Sequence, residues 1–224
     1  IKPLTIKRIN NDYHDETIND HIASATSIRK ALHKDKQTKD ITHTLPEVTF
    51  QQLNEYIKTT TIWHHWEHYF PLLHYKVMTM ESEQLATILG VDEGLENRIK
   101  QTARHAYSFA HWLDKIKTKR YTQTRLQRMF VHILTNTTKQ AIKPFTNDNN
   151  IPYLRLLGMS DLGQAYINQR KKQFTVPLIT NIKRDSPADI TIDERATDAY
   201  YAILDAYTRI KLRKQSFMGP IFKR

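Results

Sequence analysis

Apolar side chains recur every three to four residues along most of the chain, and this period predicts a mainly α-helical protein. The clearest stripe predicts an amphipathic helix over 122–135, and it contains Leu126, Met129, Phe130, Ile133 and Leu134. Further helices are predicted at 25–32, 46–56, 63–80 with a break near Pro71, 82–89, 93–100, 103–117 and 193–213.

Two short segments depart from this helical period. The segments 153–157 and 176–182 are predicted to be strands, and the segment 161–172 between them is predicted to be a helix. That order predicts a small parallel βαβ element inside a helical domain. A separate strand is predicted at 3–9, where apolar and polar residues alternate, while the tail 215–224 is predicted to be irregular.

The positive charge of the chain is concentrated in one segment. The net charge is +11, yet residues 98–145 contain eleven Lys and Arg against a single acid, Asp114. Such a segment favours a polyanion, and nucleic acid is the usual partner because phosphate contacts release counterions. The alternative is a basic face that only contacts solvent. The candidate RNA-binding residues are Arg104, Lys115, Lys117, Lys119, Arg120, Arg125 and Arg128.

The composition limits the remaining classes of protein. With no cysteine, the chain has neither a disulfide framework nor a thiolate metal site, and it fits a reducing compartment such as the cytoplasm. No apolar run approaches the roughly 18 residues of a membrane span, so no membrane partner is expected. Because the sequence opens with Ile1 instead of Met, we expect a fragment of a longer protein.

Other clusters have weaker chemical signatures. Ser24, Thr26 and Arg29 lie where a helix begins, a position that suits a phosphate, but an ordinary N-cap followed by a surface arginine explains them better. His64 and His68 are spaced to share a helical face, but no further ligand is evident, so no metal site is predicted. No serine or cysteine triad can be assembled, and no catalytic residue is predicted in this chain.

Several blocks resemble known proteins. The string I-A-S-A-T-S-I-R at 22–29 is similar to the I-S-S-T-x-x-R signature that closes the nucleotidylyltransferase fold. Four more blocks of this sequence resemble the tRNA(Met) cytidine acetate ligases. They are I-K-P-L-T-I-K-R-I at 1–9, Y-H-D-E at 13–16, R-Y-T-Q-T-R-L-Q-R at 120–128 and P-Y-L-R-L-L-G at 152–158.

This resemblance implies a domain organisation. Residues 1–32 would be the last strand and helix of a Rossmann-like nucleotidylyltransferase domain, and 33–224 would be a helical tRNA-binding domain. The H-x-G-H motif of the family's ATP site is absent here, so the chain alone is expected to be inactive. The implied ATP-binding residues are Arg8, Ile9, Ser24, Thr26 and Arg29, although Ala23 and Ala25 stand where the signature often has serine.

The resemblance also implies a reaction for the full-length protein. ATP, with Mg, would activate acetate as acetyl-adenylate, and the acetyl group would pass to the wobble cytidine of elongator tRNA(Met). Two alternatives stay open: a non-catalytic RNA-binding helical module, and a nucleotidylyltransferase that acts on a small molecule. The sequence leaves the oligomeric state open.

Overall fold

We describe the protein from a computed structural model, which covers residues 4–5, 18, 22–35, 39–147, 151–182 and 190–223. The chain divides into two compact units, Ile1–His64 and His65–Arg224, which are described separately below. The domain boundary expected after residue 32 stays a prediction. Within the described ranges, no helix combines the length and the apolar character needed to cross a membrane.

The described residues of the first unit form two α-helices and a 3-10 turn. Helix α1 is Ala25–Asp35, the turn is Lys39–Thr44, and α2 is Glu47–Thr60. Both helices were predicted from the sequence, but the 3-10 turn between them was not. Its one apolar residue, Ile41, is fully buried and explains why the segment folds. Apart from Leu4 and Thr5, which are not in a strand, the predicted strand at 3–9 lies outside the described residues.

The second unit begins with a group of packed helices. They are α3 (Trp66–Thr79), α4 (Ser82–Thr87), α5 (Leu95–Ala103), α6 (Phe109–Ile116), α7 (Gln123–Leu134) and α8 (Lys139–Asn147). Helix α3 packs against α5, α6 and α7. The apolar stripe predicted for α7 faces the core, since Leu126, Phe130 and Ile133 have no exposed surface. Trp112 and Leu73 complete the same fully buried cluster.

The break predicted near Pro71 is wrong, because α3 continues through this residue. Proline removes one backbone hydrogen bond toward the preceding turn, which disfavours a helix interior. Tyr69, Leu73 and Val77 lie on one buried stripe across that position. Their packing into the core outweighs the lost bond.

Helices α5 and α6 correspond to the helices predicted at 93–100 and 103–117. The break between them lies later than predicted, at 104–108. Helix α6 begins at Phe109, and Ser108 caps it by accepting a hydrogen bond from the His111 N–H at 3.1 Å. The sequence feature that marks the start of α6 is therefore a serine N-cap. It lies within a segment, 103–117, that was predicted to be helical throughout.

The predicted parallel βαβ element is confirmed. Strand β1 (Leu154–Arg155) pairs in parallel with β3 (Leu178–Ile179), in the register Leu154 with Leu178. Helix α9 (Asp161–Arg170) and a 3-10 turn (Lys171–Gln173) form the crossover.

Two expectations for the end of the chain are wrong. The tail is not wholly irregular, because β4 (Ile221–Lys223) pairs in parallel with β2 (Gly158–Ser160), a strand that is not among the predicted elements. The single helix predicted at 193–213 is two helices, α10 (Ile190–Tyr201) and α11 (Ala206–Ser216). Asp205 separates them as an N-cap, since its carboxylate accepts a hydrogen bond from the Thr208 N–H at 3.0 Å.

Candidate nucleic-acid interface

The turn between α6 and α7, residues 117–122, is fixed by its own hydrogen bonds. Tyr121 donates its N–H to the Thr118 hydroxyl at 3.0 Å, and Thr118 donates its N–H to the Tyr121 carbonyl at 3.2 Å. The Tyr121 hydroxyl donates to the carbonyl of Asp92 at 3.2 Å and so ties the turn to the loop before α5. This α6–α7 turn therefore presents its side chains from a defined backbone.

Most of the predicted RNA-binding cations lie on or beside this turn. Lys117, Lys119 and Arg120 belong to it, Lys115 precedes it on α6, and Arg125 and Arg128 follow on α7, all of them exposed. The spacing of three between the last two places them on the same side of α7. The Arg98 guanidinium joins the group, since it donates to the Lys115 carbonyl at 3.0 Å. The sequence pattern did not single out Arg98.

Arg104 does not belong to this group. It follows the last residue of α5, whereas Asp92 and Glu93 precede the first residue of that nine-residue helix. At 1.5 Å per residue the two ends of α5 lie roughly 13 Å apart. Arg104 is exposed on the interruption between α5 and α6.

The surface that carries the predicted RNA-binding cations also carries acidic residues, although the segment 98–145 contains only one acid. Arg120 forms an ion pair with Glu93, and the Arg125 guanidinium lies 3.8 Å from the Asp92 carboxylate. Lys139 Nζ lies 2.8 Å from Asp92 as well. Both acids precede residue 98 in the sequence, so counting charge within 98–145 excludes them although they fold onto the same surface. Exposed pairs of this kind contribute little stability, which leaves the cations available to a stronger anion.

The remaining cations of the group differ from Arg120 and Arg125 in their pairing. Among the described residues, Lys115, Lys117, Lys119 and Arg128 have no acidic partner within ion-pair distance. Arg125 has a second contact, since its guanidinium carbon lies 4.8 Å from the centroid of the Tyr121 ring. A cation over an aromatic ring keeps its charge and loses freedom, so Arg125 is positioned before any ligand binds.

The C-terminal end of α7 contains a half-buried histidine and a hydrogen bond from α3. Burial lowers the pKa of His132 below its ordinary value of 6.5. Lys76 Nζ donates to the Leu134 carbonyl at 3.1 Å, and burial, followed by the nearby charge of Arg195, lowers the pKa of Lys76. The Lys76 hydrogen bond ties α3 to the end of α7.

The predicted phosphate site at the start of α1 is built as a helix cap. The Ser24 hydroxyl accepts the Ser27 N–H at 3.0 Å and donates to the Ser27 hydroxyl at 3.2 Å. Both serines are buried, whereas Thr26 is half-buried and Arg29 is exposed. The Ser24 hydroxyl is thus already engaged, which matches the capping alternative. Arg8 and Ile9 lie outside the described residues, and their nucleotide role stays a prediction.

The histidine cluster before α3 does not have the predicted geometry. His64 precedes the helix and hydrogen-bonds through Nε2 with the Tyr56 hydroxyl. His65 caps α3, since its Nδ1 accepts the Glu67 N–H at 3.3 Å. His64 and His68 therefore do not share a helical face. In the part of the chain that the structure describes, no group of three His, Asp or Glu is arranged to bind a metal ion.

Comparison with known proteins defines the class. The family model for HIGH Nucleotidyl Transferase matches residues 1–215, so the chain belongs to that family. It is 53% identical over 222 residues to the tRNA(Met) cytidine acetate ligase of Oceanobacillus iheyensis, covering 99% of this chain and 55% of the relative. The protein of the same name from Bacillus licheniformis is 44% identical over 224 residues, covering 99% and 54%. The resemblance to these ligases is confirmed.

Solved structures agree with this class. Thermotoga maritima TmcAL in its apo form I is similar with a TM-score of 0.86 at 26% identity, over 98% of this chain and 55% of that one. The same protein bound with alpha-thio ATP gives a TM-score of 0.81 at 26% identity, over 92% and 53%. The chain thus spans about half the length of the relatives it matches.

Proposed function

We propose that this chain is part of an ATP-dependent tRNA(Met) cytidine acetate ligase and that it binds the tRNA backbone. The observation that carries the RNA role is the group of exposed cations on the fixed α6–α7 turn. The names of the relatives support the identity of the RNA and the reaction.

In the proposed reaction, acetate attacks the α-phosphate of ATP, with Mg, forming acetyl-adenylate and releasing pyrophosphate. The wobble cytidine amino group of elongator tRNA(Met) then takes the acetyl group, giving acetylcytidine and releasing AMP and a proton. The described residues of this chain supply positioning and not a reacting group. We therefore assign the chemistry to the full-length protein and RNA binding to this chain.

The cations on and beside the α6–α7 turn suit a phosphate backbone for two physical reasons. Lys117, Lys119 and Arg128 are charged, exposed and without acidic partners among the described residues, so binding a phosphate displaces only water and counterions. Arg120 and Arg125 have exposed carboxylate partners, which a polyanion can displace at little cost because exposed pairs are weak.

Variants of this turn test the RNA role. In the full-length protein, replacing Lys117, Lys119 and Arg128 together by Gln should reduce the salt dependence of tRNA binding by roughly one unit per lost phosphate contact. The matched control replaces Arg209, Lys211 and Lys214 of α11, which are also exposed and remove the same charge. An equal loss in both variants would indicate a general charge effect and would contradict a specific RNA surface here.

We also propose that Arg8, Ile9, Ser24, Thr26 and Arg29 border the ATP site of the full-length protein. The exposed Arg29 side chain, four residues beyond the start of α1, supports this, and the alpha-thio ATP complex of the Thermotoga maritima protein supports nucleotide binding in the family. Charge-assisted bonds from arginine to phosphate contribute roughly 1.5–3 kcal/mol.

Single arginine variants separate the ATP role from the RNA role. Arg8→Ala and Arg29→Ala in the full-length protein should lower acetate-dependent ATP consumption roughly 10- to 150-fold while tRNA affinity stays unchanged. Arg29→Lys should restore activity only in part, because lysine lacks the planar fork. Normal ATP consumption with impaired tRNA binding would reverse the assignment. Mass spectrometry of tRNA incubated with labelled acetate identifies the product.

A further inference from the structure

The interruption between α5 and α6 presents an aromatic ring to solvent. Tyr107 is 78% exposed, and its ring stacks on the His111 ring with centroids 4.1 Å apart and planes 17° apart. His111 is half-buried in the first turn of α6. One face of the tyrosine ring is therefore covered by the imidazole, and the other face is open.

The backbone that carries this ring is firmly anchored on both sides. Ala103 before it and Phe109 after it are buried in the core. The Phe109 and Ala110 N–H groups donate to the two carboxylate oxygens of Glu67 at 2.8 and 2.9 Å. Phe109 also stacks on Trp66, with centroids 4.5 Å apart and planes 6° apart. A ring on such a support loses little freedom when a ligand stacks on it.

The same interruption carries a cation, Arg104, three residues before Tyr107. Arg104 and His105 are exposed, and Arg104 has no acidic partner among the described residues. An open aromatic face next to a cation is the arrangement that binds an unpaired nucleotide, since the base stacks and its phosphate meets the cation. A base-paired duplex cannot use the ring, because its bases already stack on one another.

We infer that Tyr107 is a stacking platform for an unpaired base of bound RNA, with Arg104 at a neighbouring phosphate. This inference rests on the proposed RNA-binding function and extends it. Helix α6 has eight residues and is roughly 12 Å long, with Tyr107 before its start and the α6–α7 turn after its end. One RNA can thus meet a base-binding end and a backbone-binding end of the same helix.

The test compares a stem-loop RNA with a blunt duplex of equal length and charge, both titrated against the full-length protein. Tyr107→Ala should weaken stem-loop binding roughly 5- to 150-fold, the range for loss of one stacked base, and leave duplex binding unchanged. The salt dependence should not change, because no charge is removed. Tyr107→Trp should retain stem-loop affinity. The control Tyr207→Ala removes an equally exposed tyrosine from α11 and should have no effect.

A fluorescent base analogue in the loop gives a second measurement. Stacking on Tyr107 should quench its emission in the wild-type complex, and Tyr107→Ala should restore the emission. Equal losses for stem-loop and duplex, or an unchanged stem-loop affinity, would overturn the platform. If the wild-type protein bound neither RNA nor tRNA, the proposed RNA-binding function would fail first, and the platform with it.

Discussion

The second unit contains two regions that fold by different means. In the helical region, 66–134, side chains such as Trp112, Phe130 and Ile99 have no exposed surface. In the strand-containing region, 151–223, Leu204 and Thr208 are the buried residues among those described, while Leu162 is 82% exposed.

This contrast indicates that the helical region supplies most of the stability of the second unit. The described residues of the strand-containing region form two sheets of two strands each, and strands of two or three residues add little independent stability. The helical region buries a continuous apolar cluster and fixes the α6–α7 turn and the Tyr107 ring on its outside. We therefore expect the candidate RNA surface to keep its structure as long as the helical core is folded.

The largest expected effect is on the helical core. Trp112→Ala should lower the free energy of unfolding by about 3–5 kcal/mol, because it removes a fully buried indole and leaves a cavity. It also leaves the Thr102 hydroxyl without the indole N–H that donates to it at 3.0 Å. Urea unfolding followed by far-UV circular dichroism measures the change. Leu162→Ala is the control from the other region, and its effect should stay within about 0.5 kcal/mol. Similar losses in the two variants would remove the contrast.

A smaller effect is expected at the link between α3 and α6. Glu67→Ala removes both acceptors of the Phe109 and Ala110 N–H groups, and the unpaired donors should cost about 1–3 kcal/mol. Glu83→Ala, which removes an exposed glutamate from the first turn of α4, is the matched control. If the two variants unfolded at the same urea concentration, the Glu67 contacts would add nothing beyond an ordinary helix-end charge.

The sequence predicts the helical region better than its interruptions. Helical periods identified α7 and its buried stripe because local spacing determines which residues face the core. Ser108 and Asp205 interrupt continuous periods, and only their capping chemistry reveals the helix starts that follow them. Pro71 had the opposite effect, since local propensity predicts a break that tertiary packing removes.

The candidate site shows the same limit. The run of cations in 98–145 could be predicted from sequence because its members are close together along the chain. Their partners Asp92 and Glu93 could not, because the fold brings them from outside the counted segment. The pairing of β2 with β4 joins segments about sixty residues apart and is likewise non-local.

A local effect is expected in the strand-containing region. A Cβ added at Gly158 would lie 3.2 Å from the Ile221 carbonyl oxygen, so Gly158→Ala should loosen the pairing of β2 with β4. We expect faster hydrogen exchange at the Ile221 N–H, which donates to the Leu157 carbonyl, and no change at core amides. At Gly163 in α9 an added Cβ meets only ordinary contacts, so Gly163→Ala should raise helix stability by roughly 0.5–1 kcal/mol. Unchanged exchange at Ile221 would contradict the tight approach.

The smallest effect is a pH dependence at His132, a half-buried residue near the end of α7. Burial lowers the pKa of His132 in the folded protein below 6.5, so the unfolded chain binds the proton more readily. Stability from the neutral imidazole is therefore present above about pH 6.5 and is lost as the pH falls toward the lowered pKa. His132→Gln cannot titrate and should lose less stability than the wild type between about pH 7.5 and 5.5. Urea midpoints at both pH values measure this, and the variant's own midpoint at the higher pH corrects for any change in packing. An equal loss in both proteins would show that other groups cause the acid sensitivity of the helical region.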